Sequence, residues 1–214
     1  MSPSLPPPAS RAARTSQVAT ILLGLSLPIS GAIDNLLLFV ILIGWLFSGD
    51  WQGKWEKLRA SPLTRVLLAF LLLAALGTGW GYGNAAERLR YFSKYAVLLL
   101  PLALIALPLA GEQKRRAAVA FGLGILLTLA LSYLMRAGVD LPDWLSKNND
   151  ASNPVVFKLQ ITHSFFVALG AFLFFVGALH ARDQRWRWGL GLAAALAVVN
   201  LFMVQGRTGQ LALL

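Results

Sequence analysis

The sequence contains no cysteine, only two histidines and few charged side chains. Without cysteine there can be no disulfides and no thiolate chemistry. His163 and His180 lie far apart in the sequence, and two histidines are too few for a histidine metal cluster. Charged residues make up 13% of the chain and hydrophobic residues 57%, with a mean hydropathy of +0.65. Such values exclude an ordinary soluble domain and indicate an integral membrane protein.

The 214 residues have room for about seven or eight membrane spans, since one span takes about 20 apolar residues. We therefore predict an all-α, polytopic transmembrane helical bundle, with about seven helices and the start of an eighth. Residues 1–11 are rich in proline and serine and predict a disordered cytoplasmic tail. Residues 12–214 are predicted to form one transmembrane helical domain, whose last helix is cut off at Leu214.

Apolar runs and breaking residues give approximate helix limits. A helical hairpin is expected first, and its turn holds Pro28, Gly31 and Asp34, the last as a helix cap. Residues 49–62 are expected to form an interfacial loop, and 137–159 a long polar loop with a short surface helix near 141–146. Glycines 122, 124, 189 and 191 are expected at helix contacts. The predicted helices cover 12–30, 33–48, 63–79, 87–108, 114–136, 162–180 and 188–204.

The net charge of +10 comes from basic residues in short loops between apolar runs, a pattern of membrane topology rather than of nucleic-acid binding. With the hairpin, the cytoplasmic side receives 12 of the 19 lysines and arginines: Arg11, Arg14, Lys54, Lys57, Arg59, Arg65, Lys114, Arg115, Arg116, Arg182, Arg185 and Arg187. The N-terminus is therefore predicted to be cytoplasmic. The outer side receives the rest: Arg88, Arg90, Lys94, Arg136, Lys147, Lys158 and Arg207.

Several of these outer basic residues lie within about one turn of a predicted helix end, where they could bind an anion. Arginine offers a planar set of donors that suits phosphate. On one continuous helix Arg90 and Lys94 would share a face, and Arg88 and Tyr91 another. We predict a pyrophosphate site from Arg207, Arg136, Arg88, Arg90 and Lys94. The alternative is that each basic residue reaches the lipid headgroups or pairs with a local acid such as Glu87 or Asp140, which we favour for Lys147 and Lys158.

The segment Gln205-Gly206-Arg207-Thr208-Gly209 follows about seven predicted helices and leads into another apolar run. Together with the N-terminal hairpin and a basic, glycine-rich outer turn, it resembles the O-antigen ligase and polymerase family of bacterial inner-membrane glycosyltransferases. The resemblance covers only the N-terminal part of that family. Arg207 matches the motif arginine, although the family often has serine where this chain has Gly206. Arg136 and Arg88 match by location alone.

The resemblance implies an inverting glycosyltransferase that needs no metal and no cofactor. It would take a glycan from undecaprenyl pyrophosphate on the periplasmic side of the inner membrane, with arginines holding the pyrophosphate. In a ligase the acceptor is the lipid A core. The family's histidine base follows the motif arginine, so we expect the catalytic base to lie beyond residue 214. His163 precedes Arg207, and for this histidine at a helix start interfacial packing is favoured over the role of a base.

A ligase is thus the expected function, and the sequence leaves three alternatives. A polymerase of the same family differs from a ligase only in its acceptor. A transporter or flippase would bind the same anionic polyprenyl lipid without chemistry, but the two halves of the chain show no convincing repeat, which favours the enzyme. A scaffold subunit would use its arginines only to contact membrane lipids.

Overall fold

The computed structural model describes residues 11–81, 84–107, 109–146 and 150–204, and this part of the chain contains helices and turns but no strand. The all-α class is confirmed. The predicted tail up to Ser10 and the predicted eighth helix lie outside the described residues. The helices are α1 (Arg11–Ser26), α2 (Gly31–Phe47), α3 (Trp51–Ala60), α4 (Pro62–Trp80), α5 (Ala85–Ser93), α6 (Leu99–Ala106), α7 (Gly111–Arg136), α8 (Gln160–His180) and α9 (Gln184–Met203).

Fewer helices than predicted are long and apolar enough to span a membrane. Within the described ranges there are four, α4, α7, α8 and α9, and a fifth if the bent pair of α2 and α3 counts as one span. The expectation of seven was too high because α1 has 16 residues and α6 only eight, short of the roughly 20 that a bilayer needs. The helical hairpin at the start is confirmed, with α1 and α2 joined by a turn.

The helix predicted to run unbroken to residue 108 is divided into α5, a 3-10 segment (Lys94–Leu98) and α6. Pro101 explains the break. Proline has no N–H, and its ring collides with the carbonyl four residues earlier, so it fits only in the first turn of a helix. That is where Pro101 lies in α6. The prediction that Arg90 and Lys94 share a helix face is therefore wrong, because α5 ends at Ser93 and Lys94 begins the 3-10 segment.

The segment predicted as an interfacial loop is largely a helix, α3. The chain bends by 117° between α2 and α3, where Gly49 and Asp50 both have positive φ, 72° and 49°. The Asp50 side chain then caps α3 by accepting the Gly53 amide at 3.1 Å. Lys54 is 4% exposed and donates to the Trp45 carbonyl at 2.5 Å, with its ammonium 4.3 Å from the centroid of the Trp51 ring. The predicted loop is therefore wrong for this segment, while its interfacial location stays a prediction.

The described chain forms two compact units. The first unit contains the described residues of Met1–Thr20 and Leu37–Gly111. Within it, Ser16 of α1 is fully buried and donates to the Ile41 carbonyl of α2 at 3.3 Å. Gly44 permits this approach, since a Cβ there would overlap the Ser16 hydroxyl. α4 buries only Thr64 and leaves most of its leucines and Phe70 exposed, as expected of a surface that faces lipid.

The second unit contains the described residues of Ile21–Leu36 and Glu112–Leu214. Its core joins α7, α8 and α9 through Phe121, Ile125, Leu129, Val167, Ala168, Ala171, Phe174, Ala193, Ala194, Ala197 and Leu201. The predicted packing role of glycines is confirmed on α7, where a Cβ at Gly124 would lie 2.6 Å from Pro28 and one at Gly122 3.2 Å from Phe174. For Gly189 and Gly191 it is wrong, because a Cβ at either would meet no atom within 4 Å.

The polar segment between α7 and α8 is irregular in its described part, and the short surface helix predicted near 141–146 is absent there. The chain forms a turn there instead, in which the Leu145 amide donates to the Pro142 carbonyl at 2.8 Å. Met135, Leu141 and Val156 form a small buried cluster beneath it. The segment therefore has its own apolar anchor.

Candidate functional site

The candidate site in the first unit begins at the N-terminus of α5. Asn84 and Glu87 form a capping box, in which the Glu87 amide donates to Asn84 Oδ1 at 2.9 Å and the Asn84 amide to Glu87 Oε2 at 3.2 Å. This cap starts the helix and puts Arg88 and Tyr91, three residues apart, on one face. Among the described residues, Glu87 forms no salt bridge with Arg88, and its carboxylate accepts the Asn84 amide.

Arg88 and Tyr91 line a cavity of about 460 Å³, together with Phe70, Leu73 and Tyr95 among others. Among the described residues of this lining, Arg88 is the one that carries a charge. Its Nη1 atom donates to the carbonyls of Thr78 and Gly79, at 3.3 and 3.4 Å. Within the described residues, no partner occupies Nη2 or Nε. The site thus combines apolar and aromatic walls with a partly unoccupied guanidinium.

The other two predicted basic residues of the first unit differ in their surroundings. Lys94 lies beside the same aromatic group, with Nζ 4.7 Å from the centroid of the Tyr91 ring. Arg90 is exposed, does not line the cavity, and its guanidinium has no partner in the part of the chain that is described. Arg88 and Lys94 are therefore gathered around Tyr91, and Arg90 is not.

Arg136 belongs to the second unit, at the C-terminal end of α7. It is exposed, and its Nη1 atom donates to the Ala151 carbonyl at 3.1 Å. Here the guanidinium ties the helix end to the following segment. Arg207, the arginine that matches the family motif, lies outside the described residues.

The second unit also contains a buried polar network that the sequence did not predict. His163 is 2% exposed, and its Nδ1 and Nε2 atoms lie 3.3 Å from the Val156 carbonyl and 3.3 Å from Asn200 Oδ1. Asn200 Nδ2 donates to Ser132 Oγ at 2.7 Å, and Ser132 Oγ donates to the Pro154 carbonyl at 2.6 Å. The packing role favoured for His163 fits this environment, although the side chain is buried in a helix core rather than at the interface.

A second unexpected pair links α2 to the segment before α8. Lys158 Nζ forms a salt bridge of 2.7 Å with Asp34 Oδ2, and the two side chains are only 13% and 17% exposed. Asp34 Oδ1 also accepts the Ser26 hydroxyl at 2.7 Å. Asp34 lies inside the first turn of α2, so its predicted role as a cap is wrong. Lys158 pairs with an acid, as favoured, but with one that is distant in sequence.

One signal for the missed network was present in the sequence. Asn200 is an amide in an otherwise apolar run, and a polar group inside a membrane span needs a partner within the protein. Its partner Ser132 is a small residue in another apolar run and carries much less information. The salt bridge between Asp34 and Lys158 gave no such signal, because pairing across the chain depends on the fold.

The geometry defines the class of protein as helical, with several helices able to span a membrane, consistent with a multi-pass membrane protein. Among the described residues, no group of three His, Asp or Glu side chains is arranged to hold a metal ion. Comparison with protein-family models, with curated proteins and with solved structures finds no match for this chain.

Proposed function

We propose that the chain is an O-antigen ligase-like glycosyltransferase of the bacterial inner membrane, which moves a glycan from undecaprenyl pyrophosphate to the lipid A core on the periplasmic side. The observation that carries the proposal is the cavity of the first unit, with Arg88 as its charged residue and Phe70, Leu73 and Tyr91 in its walls. The proposal also draws on the resemblance of the segment around Arg207.

A polyprenyl pyrophosphate has an anionic headgroup and a long apolar chain, so its binding site needs both kinds of surface. The donors Nη2 and Nε of Arg88 are available for phosphate oxygens, and charge-assisted bonds of this kind are the strongest a side chain makes. The exposed apolar side chains of α4 offer a surface for the isoprenoid chain. Lys94, beside Tyr91, adds a second positive charge to the same region.

In this mechanism the basic residues act on the leaving group. As the glycosidic bond to the pyrophosphate breaks, negative charge grows on the phosphate oxygens, and a fixed guanidinium stabilises the transition state more than the substrate. The acceptor hydroxyl gives up its proton to a base with a pKa near neutral. The resemblance implies that this base is the histidine that follows the motif arginine, which Arg207 matches. The contacts of Arg207 and Arg136 with a pyrophosphate stay predictions from the sequence.

The experiment measures both binding and transfer with purified full-length protein in nanodiscs. We expect Arg88→Ala to weaken binding of an undecaprenyl-pyrophosphate-linked glycan by about tenfold or more, the effect of losing one or two charge-assisted hydrogen bonds. Transfer to lipid A core should fall at least as much. Arg65→Ala removes an exposed arginine at the opposite end of α4 and should leave both unchanged.

The outcomes separate the alternatives. If Arg88→Ala binds the lipid as well as the wild type, the cavity is not the pyrophosphate site and the proposal fails. If the wild type binds the lipid but transfers glycan to no acceptor, a transporter becomes the better explanation. Transfer to the growing glycan in place of lipid A core identifies a polymerase.

A further inference from the structure

A second cavity, of about 470 Å³, lies in the polar segment of the second unit. Two short stretches form its wall. One carries Asp143 and Trp144, and the other carries Asn153 and Lys158 and ends at Gln160 where α8 begins. The lining thus contains a carboxylate, an indole, an ammonium and two amides.

The two stretches are joined by hydrogen bonds. The Phe157 amide donates to the Leu145 carbonyl at 2.6 Å, and the Ser146 hydroxyl donates to the Val155 carbonyl at 3.1 Å. Phe157, which lines the cavity, has a φ of 63°, a conformation that costs a side-chain-bearing residue free energy unless its surroundings impose it. The polar wall is therefore held in place by the fold rather than by chance loop packing.

Trp144 is the most informative residue of this wall. It is 78% exposed, so most of a large apolar surface is left uncovered by the rest of the described chain, although burial of an indole is strongly favourable. Within the described residues, neither the Trp144 indole N–H nor the Asp143 carboxylate has a hydrogen-bond partner. An aromatic plane next to an unpaired acceptor is the combination that binds a pyranose, whose C–H face is apolar and whose hydroxyls donate hydrogen bonds.

The charges of the cavity argue against an anionic ligand. The Asp143 carboxylate would repel phosphate, and the ammonium of Lys158 is already paired with Asp34 at 2.7 Å. The Asp143 carboxylate and the Trp144 indole N–H equally disfavour a purely apolar ligand, because its binding would leave them without water or a partner. A neutral or hydroxyl-rich ligand meets both conditions.

We propose that this cavity is a saccharide-binding subsite, in which Trp144 stacks on a neutral sugar ring and Asp143 accepts hydrogen bonds from its hydroxyls. The assignment of the ligand to the glycan of a lipid-linked donor or of the acceptor rests on the proposed function. The cavity lies in a different unit from Arg88, and its role is recognition of the sugar rather than of the pyrophosphate.

The test measures binding of free sugars to the full-length protein in detergent by saturation-transfer NMR. The probes are glucose, galactose, rhamnose and N-acetylglucosamine. We expect the wild type to bind at least one of them, and Trp144→Ala to weaken that binding by about tenfold, the usual contribution of one aromatic contact. Asp143→Ala should weaken it as well. Trp186→Ala removes a similarly exposed indole, 69% against 78%, that does not line the cavity, and it should bind like the wild type.

Three results would overturn the subsite. The first is that the wild type binds none of the four sugars. The second is that Trp144→Ala binds as well as the wild type, which would make Trp144 a membrane-interface residue. The third is that Trp186→Ala weakens sugar binding as much as Trp144→Ala does. Since Trp144 is exposed, its removal should leave the thermal unfolding of the protein unchanged, and this is measured on the same samples. Sugar binding is measured without glycan transfer, so the two proposals can fail separately. If Trp144→Ala weakens sugar binding while Arg88→Ala keeps full lipid binding, the subsite stands and the proposed function fails.

Discussion

Asp34 and Lys158 lie 124 positions apart in the sequence, and their side chains meet in a salt bridge of 2.7 Å that is mostly shielded from solvent. Asp34 belongs to the first turn of α2 and Lys158 to the segment that leads into α8. The pair therefore fastens the helical hairpin to the polar segment that carries Trp144. Removing one partner would leave the other charge in a poorly hydrated place.

We expect Lys158→Met to destabilise the protein by about 2–4 kcal/mol, because the Asp34 carboxylate loses its counter-charge while staying largely buried. The double variant with Asp34→Asn should lose less than the sum of the two single variants. Thermal and denaturant unfolding in detergent would give these values. Glu112→Ala, which breaks exposed pairs with Arg115 and Arg116 on the helix surface, is the control and should have little effect. Equal losses of stability in Lys158→Met and Glu112→Ala would show that shielding from solvent adds nothing to the contribution of the salt bridge.

The buried network predicts a specific cost at Asn200. Replacing it with alanine leaves Ser132 Oγ and His163 Nε2 each short of a partner, and we expect a loss of about 1–3 kcal/mol of unfolding free energy. Val199→Ala changes the preceding residue, which is 51% exposed, and should cost much less. A loss under about 0.5 kcal/mol for Asn200→Ala would mean that other groups satisfy the network.

The glycines of α7 and α9 provide a matched pair of substitutions. Gly124→Ala should destabilise the protein by about 1–3 kcal/mol, since the new Cβ would overlap neighbouring atoms of α1 and of the turn that follows; it would lie 2.6 Å from Pro28 and 2.7 Å from the Leu25 carbonyl. Gly189→Ala meets no atom and should be neutral or stabilising by up to about 1 kcal/mol, because alanine favours the helix. The melting temperatures of the two variants measure this difference. A higher melting temperature for Gly124→Ala than for the wild type would contradict the close contact of Gly124 with Pro28 and Leu25.

Asp150 gives a prediction about pH. The hydroxyl and amide of Ser152 both donate to its carboxylate, at 2.7 and 2.8 Å, and they hold the pKa of Asp150 below its ordinary value of 3.8. The ionised carboxylate thus contributes stability that is present above about pH 3.8 and is lost as the pH falls through the lower, folded pKa. Ser152→Ala should raise the pKa of Asp150, as followed by carbon NMR. Ser152→Thr keeps the hydroxyl and should leave the pKa low.

Much of the helical framework could be predicted from the sequence, because apolar runs and breaking residues are local signals. α7 was expected over 114–136 and is observed over Gly111–Arg136. Where two signals competed, the prediction failed. Lys94 follows a good helical segment, but Pro101 farther along forbids its continuation, and the aromatic and basic residues after Asp50 suited an interfacial loop as well as a helix.

The candidate sites were less predictable, since they depend on which side chains the fold brings together. The pairing of Arg88 with Tyr91 follows from a spacing of three on a helix and was predicted. The cavity around them also needs Phe70 from α4, and no local pattern places that ring there. In the same way, Trp144 lies in the polar loop predicted over 137–159, but its exposure beside Asp143 depends on the fold.

The network around Asn200 has a consequence for how the chain is built into a membrane. The ribosome synthesises α7 and α8 before α9, so Ser132 and His163 precede Asn200 in order of synthesis. We expect that α7 and α8 insert first and provide partners for the amide of Asn200 as α9 enters the membrane. α4 needs no polar partner on another helix, because its exposed surface is apolar and suits contact with lipid. Biogenesis of the second unit should therefore depend on the order of its helices, and a rearranged gene that places α9 before α7 should give a poorly inserted protein.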